Sequence, residues 1–183
     1  MFAQLAESLL KSAHNEVDMK ENIVLIGMPG VGKSTLGVVL AKELGYEFVD
    51  ADLLIQKREN KLLKEIIADK GVEAFLQIEN EVNASIETSK TIIATGGSVI
   101  YGKEAMAHLK EIGTIVYLKL DYETLDSRLG SLKGRGVVLK EGQDLRAIYE
   151  ERVPLYERYA DIIVDEAGLG LEETLVSVKL SLK

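Results

Sequence analysis

The 183-residue chain predicts a three-layer α/β fold, a five-stranded parallel sheet with helices on both faces. Three observations lead there. Five short runs rich in β-branched residues, 22–26, 46–49, 91–94, 114–118 and 161–164, are apolar on both sides, as parallel strands covered by helices are. The segments between them carry helical periodicity, which makes the alternation strand, helix, strand. Hydrophobic residues make up 46% and charged residues 28% of the chain, enough to fill one core and too polar for a membrane-embedded protein.

Residues 1–20 place Phe2, Leu5, Leu9 and Ala13 at helical spacing, broken by Glu7, Lys11 and Glu16. They predict an amphipathic helical extension that packs on the domain or on a second copy, ahead of a domain over 21–183. A secretory signal needs a basic start and an unbroken apolar run, and this segment has neither. A helix is predicted over 33–44 and another over 53–58. Val72, Phe75, Leu76, Val82 and Ile86 share one face of a third helix, which marks that face as core. Residues 131–142, SLKGRGVVLKEG, combine three glycines with three basic residues, the composition of a mobile loop between two helices.

Acidic residues number 30 against 22 basic ones, a formal charge of -8. That charge repels a nucleic-acid backbone or an anionic membrane, so neither partner is expected. There is no Cys, which excludes disulfides, thiolate nucleophiles and Cys-ligated metals. His14 and His108 lie far apart and read as surface residues on helices. The expectation is a cytoplasmic monomer acting on a small molecule.

Directly after the first strand, Gly27-Met28-Pro29-Gly30-Val31-Gly32-Lys33-Ser34 fits GxxxxGK[ST], with a helix to follow. This is a P-loop in the context it requires. Its backbone N–H groups, through Gly30, Val31, Gly32 and Thr35, converge on phosphate oxygens at a helix N-terminus. Lys33 reaches the β and γ phosphates, and Ser34 can ligate Mg²⁺. In FVDAD, Asp50 and Asp52 follow the second strand, where open α/β sheets bind ligands. They either position Mg²⁺ and accept a hydroxyl proton, or end the strand and cap the next helix, Asp52 being the cap. Gly96-Gly97 after the third strand either admit a ligand close to the backbone or form a simple turn. Arg128, Arg135 and Arg152 are either solvated surface residues or functional ones, and Arg135, between Gly134 and Gly136 on the Gly-rich loop, is the one favoured to neutralise transferring charge.

Taken together, GMPGVGKS, FVDADLLI, ATGG, a basic loop and RVPLYERYAD occur in the order and spacing of the shikimate kinase family, which this chain resembles over 22–164. The resemblance implies a three-layer P-loop kinase fold with a mobile lid at about 131–142, and ATP and Mg²⁺ as cofactors. It implies phosphorylation of a hydroxyl on a small molecule, as in shikimate to shikimate 3-phosphate. It gives Lys33, Asp52 and Arg135 the catalytic roles, Ser34 and Asp50 the metal, and Arg128 the adenine. It gives Asp52, Gly96, Gly97, Ser98 and Arg152 the acceptor, Arg152 gripping its carboxylate. Three positions depart from the family pattern. Leu76 stands where the family has a second carboxylate-binding arginine, Ser98 where it has a third glycine, and Gly136 where it prefers proline. These departures leave room for another hydroxylated small acid or amino acid as acceptor, or for a silent nucleotide-binding relative. Nucleoside monophosphate kinases share the sheet and lid, but the FVDAD and RVPLYERYAD segments favour the resemblance to shikimate kinases.

Overall fold

The computed structural model describes residues 21–130 and 142–183; the predicted N-terminal helix and most of the Gly-rich segment lie outside them. Five strands, β1 (Asn22–Ile26), β2 (Glu47–Asp50), β3 (Thr91–Ala94), β4 (Gly113–Lys119) and β5 (Ile162–Asp165), form one parallel sheet in the order β2-β3-β1-β4-β5. Register is set by pairs such as Ile23 with Ile92 on one side and with Thr114 on the other. Seven helices accompany them among the described residues: α1 (Lys33–Leu44), α2 (Ala51–Glu59), α3 (Leu63–Ala84), α4 (Lys103–Ile112), α5 (Tyr122–Gly130), α6 (Leu145–Tyr159) and α7 (Leu171–Ser181). None of the described helices is long and apolar enough to cross a membrane.

The central strands β1 and β3 are buried along their whole length, as doubly covered strands must be. The edge strands β2 and β5 are only half-covered, so the expectation of two apolar faces holds at the sheet's centre and fails at its edges. Two apolar clusters fill the interior. The larger surrounds the sheet; the smaller, Ile55, Ile66, Phe75, Ile78 and Val82, lies between α2 and α3. Leu76 packs half-buried against this second cluster, which is the core role its helical face predicts. α3 breaks at Gly71, φ 83°, a left-handed conformation that glycine adopts without steric cost. His108 lies on α4 as expected, but it is half-buried and its Nε2 sits 2.7 Å from the Ile86 carbonyl. It therefore ties α4 to the segment after α3 instead of standing in solvent.

Chain order decides where the ligand site falls. From β1 the chain runs outward to β2 on one side, whereas from β3 it crosses β1 to reach β4 on the other. The loops leaving β1 and β3 therefore separate at the carboxyl edge of the sheet, and a crevice opens between them. At the opposite edge Asn22 closes the sheet. Its side-chain amide donates to the Thr88 and Ile112 carbonyls, both at 2.9 Å, and its Oδ1 accepts from Thr91 N at 3.0 Å. Asn22→Ala strands three backbone groups in a buried setting, at a cost of roughly 2 to 4 kcal/mol. Denaturant unfolding of the two proteins checks this, and a loss below about 1 kcal/mol would mean that water replaces the amide.

Candidate active site

The crevice is a cavity of about 590 Å³ walled by the P-loop, the start of α2, α3 and the loop after β3. Gly32, at φ 111°, ends the P-loop in a conformation open to glycine, and α1 starts at the next residue. Its first turn brings Lys33, Ser34 and Thr35 to the cavity wall together with Gly30 and Gly32. Lys33 is buried, and its Nζ donates to the Gly27 carbonyl at 2.7 Å and the Met28 carbonyl at 3.0 Å. Burial draws its pKa down to about 8, against the pull of Asp52. Val31 plays a different part from its loop neighbours: it is buried, its N–H donates to Met28 O, and its carbonyl accepts from Arg128 Nη1 at 3.1 Å.

The two aspartates at the end of β2 and the start of α2 divide their tasks. Asp50 Oδ2 accepts from Ser34 Oγ at 2.6 Å while Oδ1 accepts from Asp52 N at 3.0 Å, which makes Asp50 the N-cap of α2. The predicted cap, Asp52, is not the cap. The helix begins at Ala51, two residues before the predicted start, so Asp52 falls in the first turn and its carboxylate faces the cavity. Burial, and after it the Asp50 charge, push its pKa up to about 6. Ser34 and Asp50 together present hydroxyl and carboxylate oxygens, the hard donors that Mg²⁺ takes.

The glycine pair is required by close approach. A side chain on Gly96 would run into the Glu79 and Asp52 carboxylates, and one on Gly97 would come within 2.7 Å of the Pro29 ring. The reading of a simple turn is therefore too weak, because this backbone is wedged between the P-loop and two carboxylates. Ser98 is buried beside them. From α6, Arg152 and Tyr156 reach the Gly97 carbonyl one turn apart, Arg152 Nη1 at 3.4 Å and Tyr156 through its hydroxyl. Arg152 is 2% exposed and lines the cavity. Arg128 stands outside it, next to the P-loop carbonyl and 4.0 Å from Glu166 Oε2. Arg135 and Gly136 lie outside the described residues.

Two carboxylates were missed by the motif reading. Glu79 falls on the buried face of α3, one turn from both Phe75 and Val82, so a charged residue on an apolar stripe was the available signal. Its Oε1 is buried without a hydrogen-bond partner among the described residues, and burial pushes its pKa up to about 7, with the Ser98 hydroxyl working against the rise. Glu166, after β5, is raised to about 7 by burial, against Arg128 and Lys33. No motif marks it.

This assembly has known counterparts. The shikimate kinase family model matches residues 29–181. The chain belongs to the shikimate kinase family. A shikimate kinase from Thermodesulfovibrio yellowstonii is 37% identical over 84% of this chain and 90% of that protein. One from Clostridium botulinum is 39% identical over 86% and 94%. Among solved structures, shikimate kinase from Acinetobacter baumannii in complex with shikimate superposes with a TM-score of 0.77 at 32% identity, covering 88% of this chain and 92% of that one. The five-stranded parallel sheet and the P-loop kinase fold are those of the family, whose members transfer a phosphoryl group from ATP, with Mg²⁺, to a hydroxyl.

Three carboxylates whose pKa values burial raises give the ligand-free protein a pH signature. Asp52, Glu79 and Glu166 bind protons more tightly folded than unfolded. The stability they contribute is complete below the unfolded carboxylate pKa and is lost as pH rises through about 6 to 7. Thermal melts between about pH 5 and pH 8 should show Tm falling with pH, and Glu79→Gln should flatten the slope. A slope unchanged by that substitution would show that Glu79 is ionised at no cost.

Proposed function

We propose that this chain transfers the γ-phosphoryl group of ATP to a ring hydroxyl of shikimate, with the product shikimate 3-phosphate, as a cytoplasmic monomer. The observation that supports this most is the meeting in one cavity of a P-loop lysine, a half-buried aspartate with a raised pKa and a buried arginine. The Acinetobacter baumannii relative is described in complex with shikimate, and that ligand offers hydroxyls and a carboxylate to match Asp52 and Arg152.

In this reading Asp52 accepts the proton of the attacking hydroxyl. The hydroxyl oxygen forms its bond to the γ-phosphorus as the bridging P–O bond breaks, and ADP leaves with that electron pair. An Asp52 pKa near 6 leaves the carboxylate ionised at neutral pH and basic enough to take the proton. The P-loop N–H groups, through Gly30, Gly32, Ser34 and Thr35, hold the phosphates, and Lys33 carries its charge to the γ-phosphoryl. Ser34 and Asp50 would hold Mg²⁺, which when bound supplies charge neutralisation on the phosphates. Arg128, bonded to the Val31 carbonyl and outside the cavity lining, approaches the adenine. Arg135 of the lid at about 131–142 completes the charge balance. Gly96, Gly97 and Ser98 form the wall against which the acceptor ring lies, and Arg152 takes its carboxylate.

A second reading, another hydroxylated small acid as acceptor, is favoured by Leu76 and Ser98. The cavity wall presents Phe75 and Glu79 of α3, while Leu76 packs into the smaller cluster. ADP release measured across hydroxylated acids, sugars and amino acids separates the two. Turnover with shikimate at a higher kcat/KM than with any other acceptor supports the first reading; its absence sinks it.

Lys33→Ala should lower kcat about 10²- to 10³-fold, the usual loss when a preorganised donor to developing charge is removed. Asp52→Asn should abolish ADP release while nucleotide titration still shows ATP bound, because the amide keeps the shape and cannot take the proton. Lost ATP affinity with normal turnover of the remaining complex would make Asp52 a nucleotide-site residue.

A further inference from the structure

Arg152 is the largest fully buried side chain among the described residues. A guanidinium in so dry a place must have its donors engaged and its plane held. Its Nε donates to the Tyr101 hydroxyl at 3.3 Å and its Nη1 to the Gly97 carbonyl at 3.4 Å, with the guanidinium carbon 5.4 Å from the centre of the Tyr101 ring. Tyr101 ends the short 3₁₀ turn Val99–Tyr101 that follows the glycine pair. Its own hydroxyl donates to Glu151 Oε1 at 2.7 Å, and Glu151 Oε2 accepts from Gln143 Nε2 at 2.8 Å.

The direction of these bonds matters. Between a phenol and a carboxylate the phenol is the donor, so its proton goes to Glu151 and a lone pair is turned to the arginine Nε. Glu151 and Arg152 are consecutive on α6, and the phenol bridges their opposite charges. Gly97 fixes the other edge of the guanidinium. Arg152 is also the only arginine that lines the cavity among the described residues, and Leu76 offers no second one.

We propose that Tyr101, oriented by Glu151, is a positioning residue for acceptor recognition: it locks Arg152 in place before substrate arrives, so that a single arginine holds the acceptor's carboxylate. The inference rests on the reading of Arg152 as carboxylate ligand. An arginine loses rotamer freedom when it grips a ligand, and one that is already fixed does not pay that cost at binding. Affinity comes from order in place of a second charge.

Tyr101→Phe tests this, since it keeps the ring over the guanidinium and removes only the hydroxyl. KM for shikimate should rise about tenfold, with kcat and the KM for ATP unchanged to within about twofold, the scale of one weakened hydrogen bond to a charged group. With a shikimate analogue carrying a hydroxymethyl group in place of the carboxylate, kcat/KM should be the same in both proteins. An unchanged KM for shikimate overturns the proposal, as does an equal loss with both acceptors, which would mean that Tyr101 only shapes the cavity. Glu151→Gln provides the same reading should Tyr101→Phe melt early: a raised shikimate KM supports the proposal, and an unchanged one overturns it. Failure of the functional reading looks different, because then the unmodified protein neither turns over shikimate nor binds it in a calorimetric titration.

Discussion

Lys33 and Arg152 bring two buried positive charges into a cavity wall that also carries Asp50, Asp52 and the buried Glu79. Such a set survives only as a balance, since an unpaired buried charge costs several kcal/mol and a paired one roughly breaks even. The balance explains why the surrounding backbone is so constrained. Lys33 lies on two loop carbonyls, Asp50 is held by Ser34 and by the first turn of α2, and Arg152 is bound to Gly97 and Tyr101. Fold and site share one requirement, which is to bring the loops after β1, β2 and β3 close enough for these charges to meet. Gly96 and Gly97 are the positions where that closeness leaves no room for a side chain.

The carboxylates then differ by environment. Asp50 has both oxygens bonded, to a hydroxyl and to a backbone N–H. Burial raises the pKa of Asp52 and of Glu79. In the proposed mechanism, neighbouring acids in such different surroundings act one as metal ligand and one as base. The chain reaches this with two aspartates one residue apart, because the register at the start of α2 turns one carboxylate back to cap the helix and the other into the cavity.

That register is also where sequence reading reached its limit. The strand pattern, the GxxxxGK[ST] loop and the glycine pair each depend on local chemistry, and the strands and the start of α1 were legible for that reason. Which aspartate caps α2 depends on whether the helix starts at 51 or 53, and either start satisfies the local pattern. Glu79 was missed because the face holding Phe75, Leu76 and Val82 was read for its apolar members, and a buried carboxylate among them makes sense only when Asp52 and Arg152 are seen opposite. Tyr101 carries no motif. Its value comes from the 3₁₀ turn that points it at α6, a tertiary fact that composition and periodicity do not contain. Arg135 and the helix predicted over 1–20 lie outside the described residues.

Two of the family departures bear on one side chain. Position 76 lies one turn before Glu79 on α3, the spacing at which helix side chains meet, so an arginine there would face the Glu79 carboxylate and favour its charged form. Leucine removes that charge and sends the position to the apolar cluster between α2 and α3. A glycine at 98 would leave Glu79 with no side-chain donor from the loop, whereas the Ser98 hydroxyl works against the rise in its pKa. The serine thus offsets part of what the leucine withdraws, with a neutral donor in place of a cation. The offset is incomplete, since Glu79 Oε1 keeps no partner among the described residues and burial still dominates its pKa. This wall of the cavity is accordingly less positive than two arginines would make it, and in the proposed reading recognition of the acceptor's carboxylate falls to Arg152, the one arginine that lines it among the described residues.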